Sequence, residues 1–217
     1  MSEPRELPDV LTPCTPTQLA RELAWSWIAR FGSPPTTKAL CILLAQWALE
    51  TGRGRYCHAW NIGNAKSTRR DGRSWTYYRC NEVIGGKVVW FNPPDDGCCF
   101  RAYETLREGA VDYLDTIARR YKAAWPAVLN GDPAGFAHEL KRLNYYTANE
   151  NAYRNSVVSL FCEFLPTITH GMVDDVAAHF NDEDDAENRE RLLGLLAVSL
   201  AEQTRDLDAG PVTEPSA

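Results

Sequence analysis

One carboxylate stands out by its position. Glu50 closes the run TTKALCILLAQWALETGRG over residues 36–54, and no other Asp or Glu occurs between Pro34 and Asp71. A helix ending at Glu50 puts an anion at the negative end of the macrodipole, which disfavours it. Desolvation by neighbours such as Trp47 acts in the same direction, toward a raised pKa. A carboxylic acid that keeps its proton near neutral pH can give it to a leaving oxygen. The plainer alternative is a helix-end Glu facing solvent, the usual fate of a lone Glu. Glu82 is a second carboxylate on a candidate strand, and Asp71, Asp95 and Asp96 stand on loops. Cys57-His58 spells a thiol and a base, yet adjacent residues seldom present these groups to each other. Cys80, Cys98, Cys99 and His58 are a conceivable zinc set, but none of the cysteines has CxxC spacing. Cys80 could instead pair with Cys98 or Cys99 in an oxidising space.

The elements that must position these groups follow from pattern. Thr36 or Thr37 is an N-cap after Pro34-Pro35, and Gly52 or Gly54 is the stop. Between them nearly every side is apolar, which predicts a helix buried in a core. Thr15-Pro16 opens an earlier helix running to Phe31, with Leu19, Leu23 and Trp27 on one face and Gly32 beyond it. Residues 55–74 read as a loop, with Asn61 and Asn64 flanking Gly63 in a tight turn. Trp75–Ile84 and Lys87–Phe91 predict two strands joined by Gly85-Gly86. From Tyr103 to Tyr121 the helical period returns. Asp132-Pro133 caps another helix, Asn144-Tyr145-Tyr146-Thr147 breaks it, and Asn149 or Asn151 opens one that ends before Pro166. Beyond lie a short helix over Met172–Phe180, the acidic run 181–185 and an amphipathic segment with Leu192, Leu193, Leu195, Leu196, Val198 and Leu200. Residues 1–14 read as a flexible lead and the last dozen as disordered. The whole predicts an α+β fold, mostly α, with a small β-hairpin lobe and a C-terminal helical extension.

Composition narrows the partners. Of the 217 residues, seven are Trp and seven Cys. Cys41 and Cys162 fall in apolar helical patterns and are expected as buried thiols. Residues 17–165 hold 19 Lys and Arg against 14 Asp and Glu, while the ends are strongly acidic within an overall charge of −6. A positive central domain suits an anionic polymer. No basic run is interleaved with aromatics as a nucleic-acid surface requires. No stretch is long and apolar enough to span a membrane. The N-terminus lacks a basic n-region and an apolar h-region, so no Sec signal is expected.

The ordered motifs resemble glycoside hydrolase family 73, the lysozyme-like β-N-acetylglucosaminidases of autolysins, flagellar-rod enzymes and some phage particles. Residues 45–54, AQWALETGRG, look like that family's A-Q-x-x-x-E-[ST]-G-x-G, whose Glu is the general acid. Asn61-Ile62-Gly63, with Lys66 nearby, resembles N-[LI]-[FW]-G-[IV]-K without its aromatic. Phe100-Arg101-Ala102-Tyr103 matches F-R-x-Y. Glu82 falls where the family has T-x-E-Y, but between Asn81 and Val83. Tyr145-Tyr146-Thr147 with Tyr153 resembles Y-A-T-x-x-x-Y with two extra residues. E-[ST]-G also occurs in lytic transglycosylases and goose-type lysozymes.

The resemblance covers about residues 17–165 and implies a lysozyme-like peptidoglycan hydrolase domain over 15–165; the acidic helical extension over 166–217 with its disordered tail lies outside it, and no cofactor or metal is expected. It implies cleavage of β-1,4 bonds between N-acetylglucosamine and N-acetylmuramic acid, with Glu50 as acid. Such a reaction needs a proton donor and help for an oxocarbenium-like centre. Glu82 as base toward water is one source of that help. The substrate's own 2-acetamido group, oriented by Tyr145, is another. Asn61 and Tyr146 are candidates for the cleft wall, and Trp60, Trp75 and Trp90 for stacking on sugars, although a Trp is more often core. Two rivals stay open: a lytic transglycosylase needing Glu50 alone, and a non-catalytic wall-binding or assembly module. A wall-active protein made in the cytoplasm without a Sec signal would reach its substrate by lysis or inside a phage-like or contractile particle. Residues 167–217 would then dock to the carrier or mask the groove.

Overall fold

The computed structural model describes residues 3–69 and 72–180. Asp71 and the amphipathic stretch 192–200 lie outside the described residues. Helix α1 (Pro16–Phe31) starts on a capping box, in which Thr15 and Gln18 satisfy each other's backbone N–H groups, and stops at Gly32 with φ 71°. Helix α2 (Thr37–Glu50) is capped by Thr36 and buries every residue from Ala39 to Ala48. Trp47, Leu40, Ile42, Leu43 and Leu44 are fully buried, and each of the four aliphatic chains contributes about 1.5–3 kcal/mol by its burial.

Three helices enclose α2: α1, α4 (Trp125–Asn130) and, most extensively, α6 (Glu150–Phe164). Helix α3 (Leu106–Asp115) and α7 (His170–His179) pack on the other sides of α1, and α5 (Pro133–Arg142) joins α4 to α6. The helix predicted from Tyr103 is shorter than its pattern. It begins only after Thr105, whose hydroxyl forms a capping box with Glu108, and at Thr116–Arg120 it widens into a π-helical turn. The short helix α4 had no signal in the periodicity.

The predicted first strand is two. Strand β1 (Trp75–Tyr77) pairs antiparallel with β4 (Cys99–Arg101), and β2 (Cys80–Ile84) pairs with β3 (Lys87–Phe91) across Gly85-Gly86. The break falls at Tyr78, whose ring is sandwiched between His58 and Phe100 at 4.1 and 4.0 Å. Residues 3–14, expected as a flexible lead, are hydrogen-bonded along the loop after α2 and the start of β1: Leu7 N–H donates to the Trp75 carbonyl, Thr12 N–H to that of Cys57, and Ala59 N–H to that of Val10. All seven cysteines are free thiols, and Cys162 is exposed where a buried thiol was expected. It lies on α6 opposite the stripe of Tyr153, Val157, Leu160, Phe161 and Phe164. No described helix is long and apolar enough to cross a membrane.

The tightest join in this frame is between α3 and the loop. Ala59 and Trp60 both take left-handed φ values, 44° and 54°, which cost non-glycine residues about 1–3 kcal/mol each. They bring the Trp60 carbonyl so close to α3 that a Cβ on Gly109 would meet its oxygen at 2.0 Å. Gly109→Ala is therefore expected to destabilise the fold by about 1–3 kcal/mol, as overpacking does, read as a lower urea midpoint. An unchanged midpoint would mean that this loop yields freely.

Candidate active site

Glu50 is fixed by the turn that follows it. Thr51 is buried, and its N–H and hydroxyl both donate to the Trp47 carbonyl, at 3.0 and 2.7 Å. Its oxygen in turn accepts from Gly54 N–H at 2.9 Å. Gly54 has φ 81°, and a Cβ there would lie 2.7 Å from both the Cys14 carbonyl and the Trp47 ring. The Thr-Gly-x-Gly sequence after Glu50 thus turns the chain sharply, with backbone against the core. Asn64, at φ 49° in the next loop, donates to the Glu50 carbonyl at 2.8 Å and accepts from the Tyr78 hydroxyl at 3.3 Å.

The carboxyl faces a polar cluster inside an apolar wall. Tyr153 donates to Glu50 Oε1 at 3.3 Å, and the Gln46 amide, one helical turn back, hydrogen-bonds to the same group. Gln46 is fully buried. Its Nε2 donates to Tyr145 Oη, and its Oε1 accepts from Tyr113 Oη, which also lies 3.0 Å from the Leu43 carbonyl. Burial raises the Glu50 pKa above the usual carboxylate value, and the hydrogen bonds from Tyr153 and Gln46 oppose this without cancelling it. Burial also pushes the Tyr113, Tyr145 and Tyr153 phenols up, and the nearby Glu50 carboxyl adds to the effect. The cluster is therefore neutral at neutral pH apart from Glu50, an arrangement suited to a carboxylic acid that donates a proton.

Glu50 opens into a cleft of about 510 Å³ between the helices and the β2–β3 hairpin. Tyr113 and Tyr145 line the helical side, and Glu82 lines it from β2. Glu82 is half-exposed and ion-paired with Lys66 at 3.2 Å. The Lys66 ammonium also donates to the Gly97 carbonyl at 2.6 Å and sits 4.0 Å over the Phe100 ring. At the floor, Asp112 is buried between Arg73 and Arg101, with Arg101 Nη1 3.0 Å from Oδ2. Burial alone would raise the Asp112 pKa, but the two guanidinium groups hold it below the ordinary value.

The other candidates separate. Asn61 is in the wall, but both ends of its amide are engaged with the backbone of Ala65 at 2.9 Å, so it holds the loop rather than presenting a free amide. Tyr146 stacks on Tyr153 at 3.6 Å and donates to the Ala137 carbonyl, behind the cleft wall. Trp60, Trp75 and Trp90 are not among the described residues lining the cleft. Trp60 packs on the core, Trp75 pairs with Arg101 in the sheet, and the exposed Trp90 carries the Arg79 guanidinium 4.2 Å over its ring. Asp95 caps the turn at Asp96–Cys98, and Asp96 pairs with Arg69. His58 is bonded to Asp9, and burial pushes the Cys57 pKa to about 11. That thiol is not a nucleophile near neutral pH. No group of three or more His, Cys, Asp or Glu among the described residues gathers as a metal site.

Two contributors lacked a role in the sequence reading. Gln46 is the one polar side chain between Lys38 and Glu50, and a buried polar group must find partners. Asn64 holds the Glu50 backbone, a role its place in a turn did not reveal.

Residues 37–164 match the family described as mannosyl-glycoprotein endo-beta-N-acetylglucosaminidase. Among solved structures, a peptidoglycan hydrolase mutant from Sphingomonas sp. A1 is 21% identical, covers 76% of this chain and 96% of its own, and superposes with a TM-score of 0.51. A truncated glycoside hydrolase domain of Salmonella typhimurium FlgJ is 19% identical over 69% of this chain and 97% of its own, TM-score 0.45. The catalytic domain of the Listeria monocytogenes autolysin Auto is 15% identical over 74% and 91%, TM-score 0.49. No curated protein matches the chain.

A raised carboxyl pKa has a signature in stability. The folded state holds the Glu50 proton more tightly than the unfolded chain, so this contribution is fully present below the ordinary carboxylate pKa. It is lost as pH rises through the raised value. Glu50→Gln should flatten that decline, leaving a fold at neutral pH at least as stable as the wild type. Urea midpoints measured across pH 4–8 check this, and parallel curves for the two proteins would contradict it.

Proposed function

We propose, from the premise that this chain belongs to the endo-β-N-acetylglucosaminidase family and is a glycoside hydrolase, that it cleaves the glycan strand of peptidoglycan with Glu50 as general acid. The observation that carries this reading is the Glu50 carboxyl itself. It is desolvated, raised in pKa, braced by Tyr153 and Gln46, and open to a cleft. The Sphingomonas neighbour is a peptidoglycan hydrolase, which suggests the polymer.

In this mechanism an amino-sugar strand lies along the cleft with its scissile oxygen at Glu50. The acid protonates that oxygen as the bond to the anomeric carbon breaks, and positive charge develops on the sugar ring. The ionised Glu50 left behind keeps the Tyr153 and Gln46 hydrogen bonds, which favour the charged form. Glu82, on the opposite wall, activates water against the ring. Lys66, 3.2 Å from Glu82, holds that carboxylate in place on the wall. Tyr145, whose oxygen accepts from Gln46 and whose own proton is free to turn toward the cleft, orients the 2-acetamido group.

A second reading is favoured by one feature. Glu82 is half-exposed and already engaged with Lys66, whereas Glu50 is desolvated and hydrogen-bonded to Tyr153 and Gln46. An enzyme relying on Glu50 alone would close the product on itself as a 1,6-anhydro sugar, as a lytic transglycosylase does.

Glu50→Gln should lower the release of reducing ends from sacculi by about 100-fold or more, the range of a lost general acid, while the protein stays folded. Activity equal to the wild type would remove Glu50 from the mechanism. Mass spectrometry of the products separates the two readings. Glu82→Gln should suppress reducing ends strongly if Glu82 activates water, and anhydro products unaffected by Glu82→Gln would favour the transglycosylase.

A further inference from the structure

The charges on the cleft walls do not cancel evenly. Six described lining residues carry a carboxyl, ammonium or guanidinium group: Glu50, Lys66, Glu82, Arg101, Asp112 and Arg120. Lys66 pairs with Glu82 at 3.2 Å, and Arg101 pairs with Asp112 at 3.0 Å. Glu50 is held toward its neutral form by burial. That leaves Arg120. Its guanidinium has no ion pair among the described residues, and its Cζ lies 5.8 Å from the centroid of the Tyr121 ring.

The backbone explains why this cation faces the cleft. Arg119, the residue before it, turns inward to Asp115, which also takes Arg30. The π-helical turn Thr116–Arg120 adds a residue to the helix, and such turns recur at functional positions. Here the turn divides two adjacent arginines, one to the core and one to the wall. Tyr121 follows on the same wall and meets Tyr145 edge-on at 4.9 Å. A cation beside an aromatic face, down the groove from a proton donor, suits a sugar that carries an acid group.

We infer that Arg120 is a specificity-determining residue that binds a carboxylate borne by the muramyl sugar of the substrate, with Tyr121 as the adjoining platform. This rests on the reading of the protein as a peptidoglycan hydrolase. The carboxylate has two possible sources, the lactyl ether of the sugar itself or the peptide attached to it. A neutral N-acetylglucosamine oligomer offers neither, so Arg120 would distinguish wall glycan from uncharged glycan of the same backbone.

The test is binding measured by calorimetry on the full chain in the Glu50→Gln background, where turnover does not interfere. Three probes are compared: soluble glycan fragments bearing peptides, the same strands stripped by an amidase so that lactyl carboxylates are free, and a neutral N-acetylglucosamine oligomer. Adding Arg120→Gln should weaken the anionic probes about five- to tenfold, a modest value for a charge-assisted pair on an open wall, and leave the neutral oligomer unchanged. Arg120→Lys should recover part of the loss, and added salt should weaken the anionic probes only when residue 120 is cationic. A loss confined to peptide-bearing fragments identifies the peptide carboxylate, and a loss on stripped strands identifies the lactyl group. Equal weakening of all three probes, or no change in any, overturns the assignment. Release of reducing ends from sacculi by the wild type tests the underlying reading separately.

Discussion

A carboxyl buried in an apolar wall has to be held there, and the hydrogen bonds around Gln46 are what hold it. Gln46 sits on α2 one turn before Glu50 and is fully buried. An amide in that position is tolerable only with partners. Tyr113 comes from α3, Tyr145 from the turn after α5, and Tyr153 from α6, and all three converge on the Gln46–Glu50 pair. One polar pair thus ties three separate helical segments to the central helix. The same contacts set the carboxyl's position and its affinity for a proton. Packing and chemistry are not separable at this point of the molecule.

The opposite wall is built by different means. The hairpin has little core of its own, and exposed Val88, Trp90 and Ile84 show how little it buries. It is held by polar and aromatic contacts: Lys66 bridges Glu82 and the Gly97 carbonyl over Phe100, and Tyr78 stacks between His58 and Phe100. Few buried apolar contacts and several half-exposed polar ones mark a part that opens more easily than the helices do. A cleft with one rigid wall and one lightly held wall can admit a polymer from the side and still keep the Glu50 carboxyl in place.

The helical frame was largely legible in the sequence because its signals are local. Thr15-Pro16 and Asp132-Pro133 cap their helices as the sequence predicts, and of the alternatives Thr36 or Thr37 and Asn149 or Asn151 the first of each is the cap. The buried character of α2 was equally plain. The single long strand at Trp75–Ile84 was not, because its interruption at Tyr78 depends on rings from distant segments. The short helix α4 has too few turns to show a period. Site residues divided in the same way. Glu50 could be picked out because its helix isolates it, and Glu82 because the hairpin pattern displays it. Trp60, Trp75 and Trp90 had only their type to recommend them, and tertiary packing sent them elsewhere. The organising role of Gln46 arises from three tyrosines between 67 and 107 residues away, a relation no local pattern contains.

A carbon-13 NMR titration of the Glu50 side-chain carboxyl in the wild-type protein tests the central claim most directly. A midpoint clearly above that of an ordinary glutamate, falling toward the ordinary value when the core around it is opened by denaturant, is the predicted result. A midpoint at or below the ordinary value in the native protein would contradict the account, because the cleft would then hold an anion where it needs an acid.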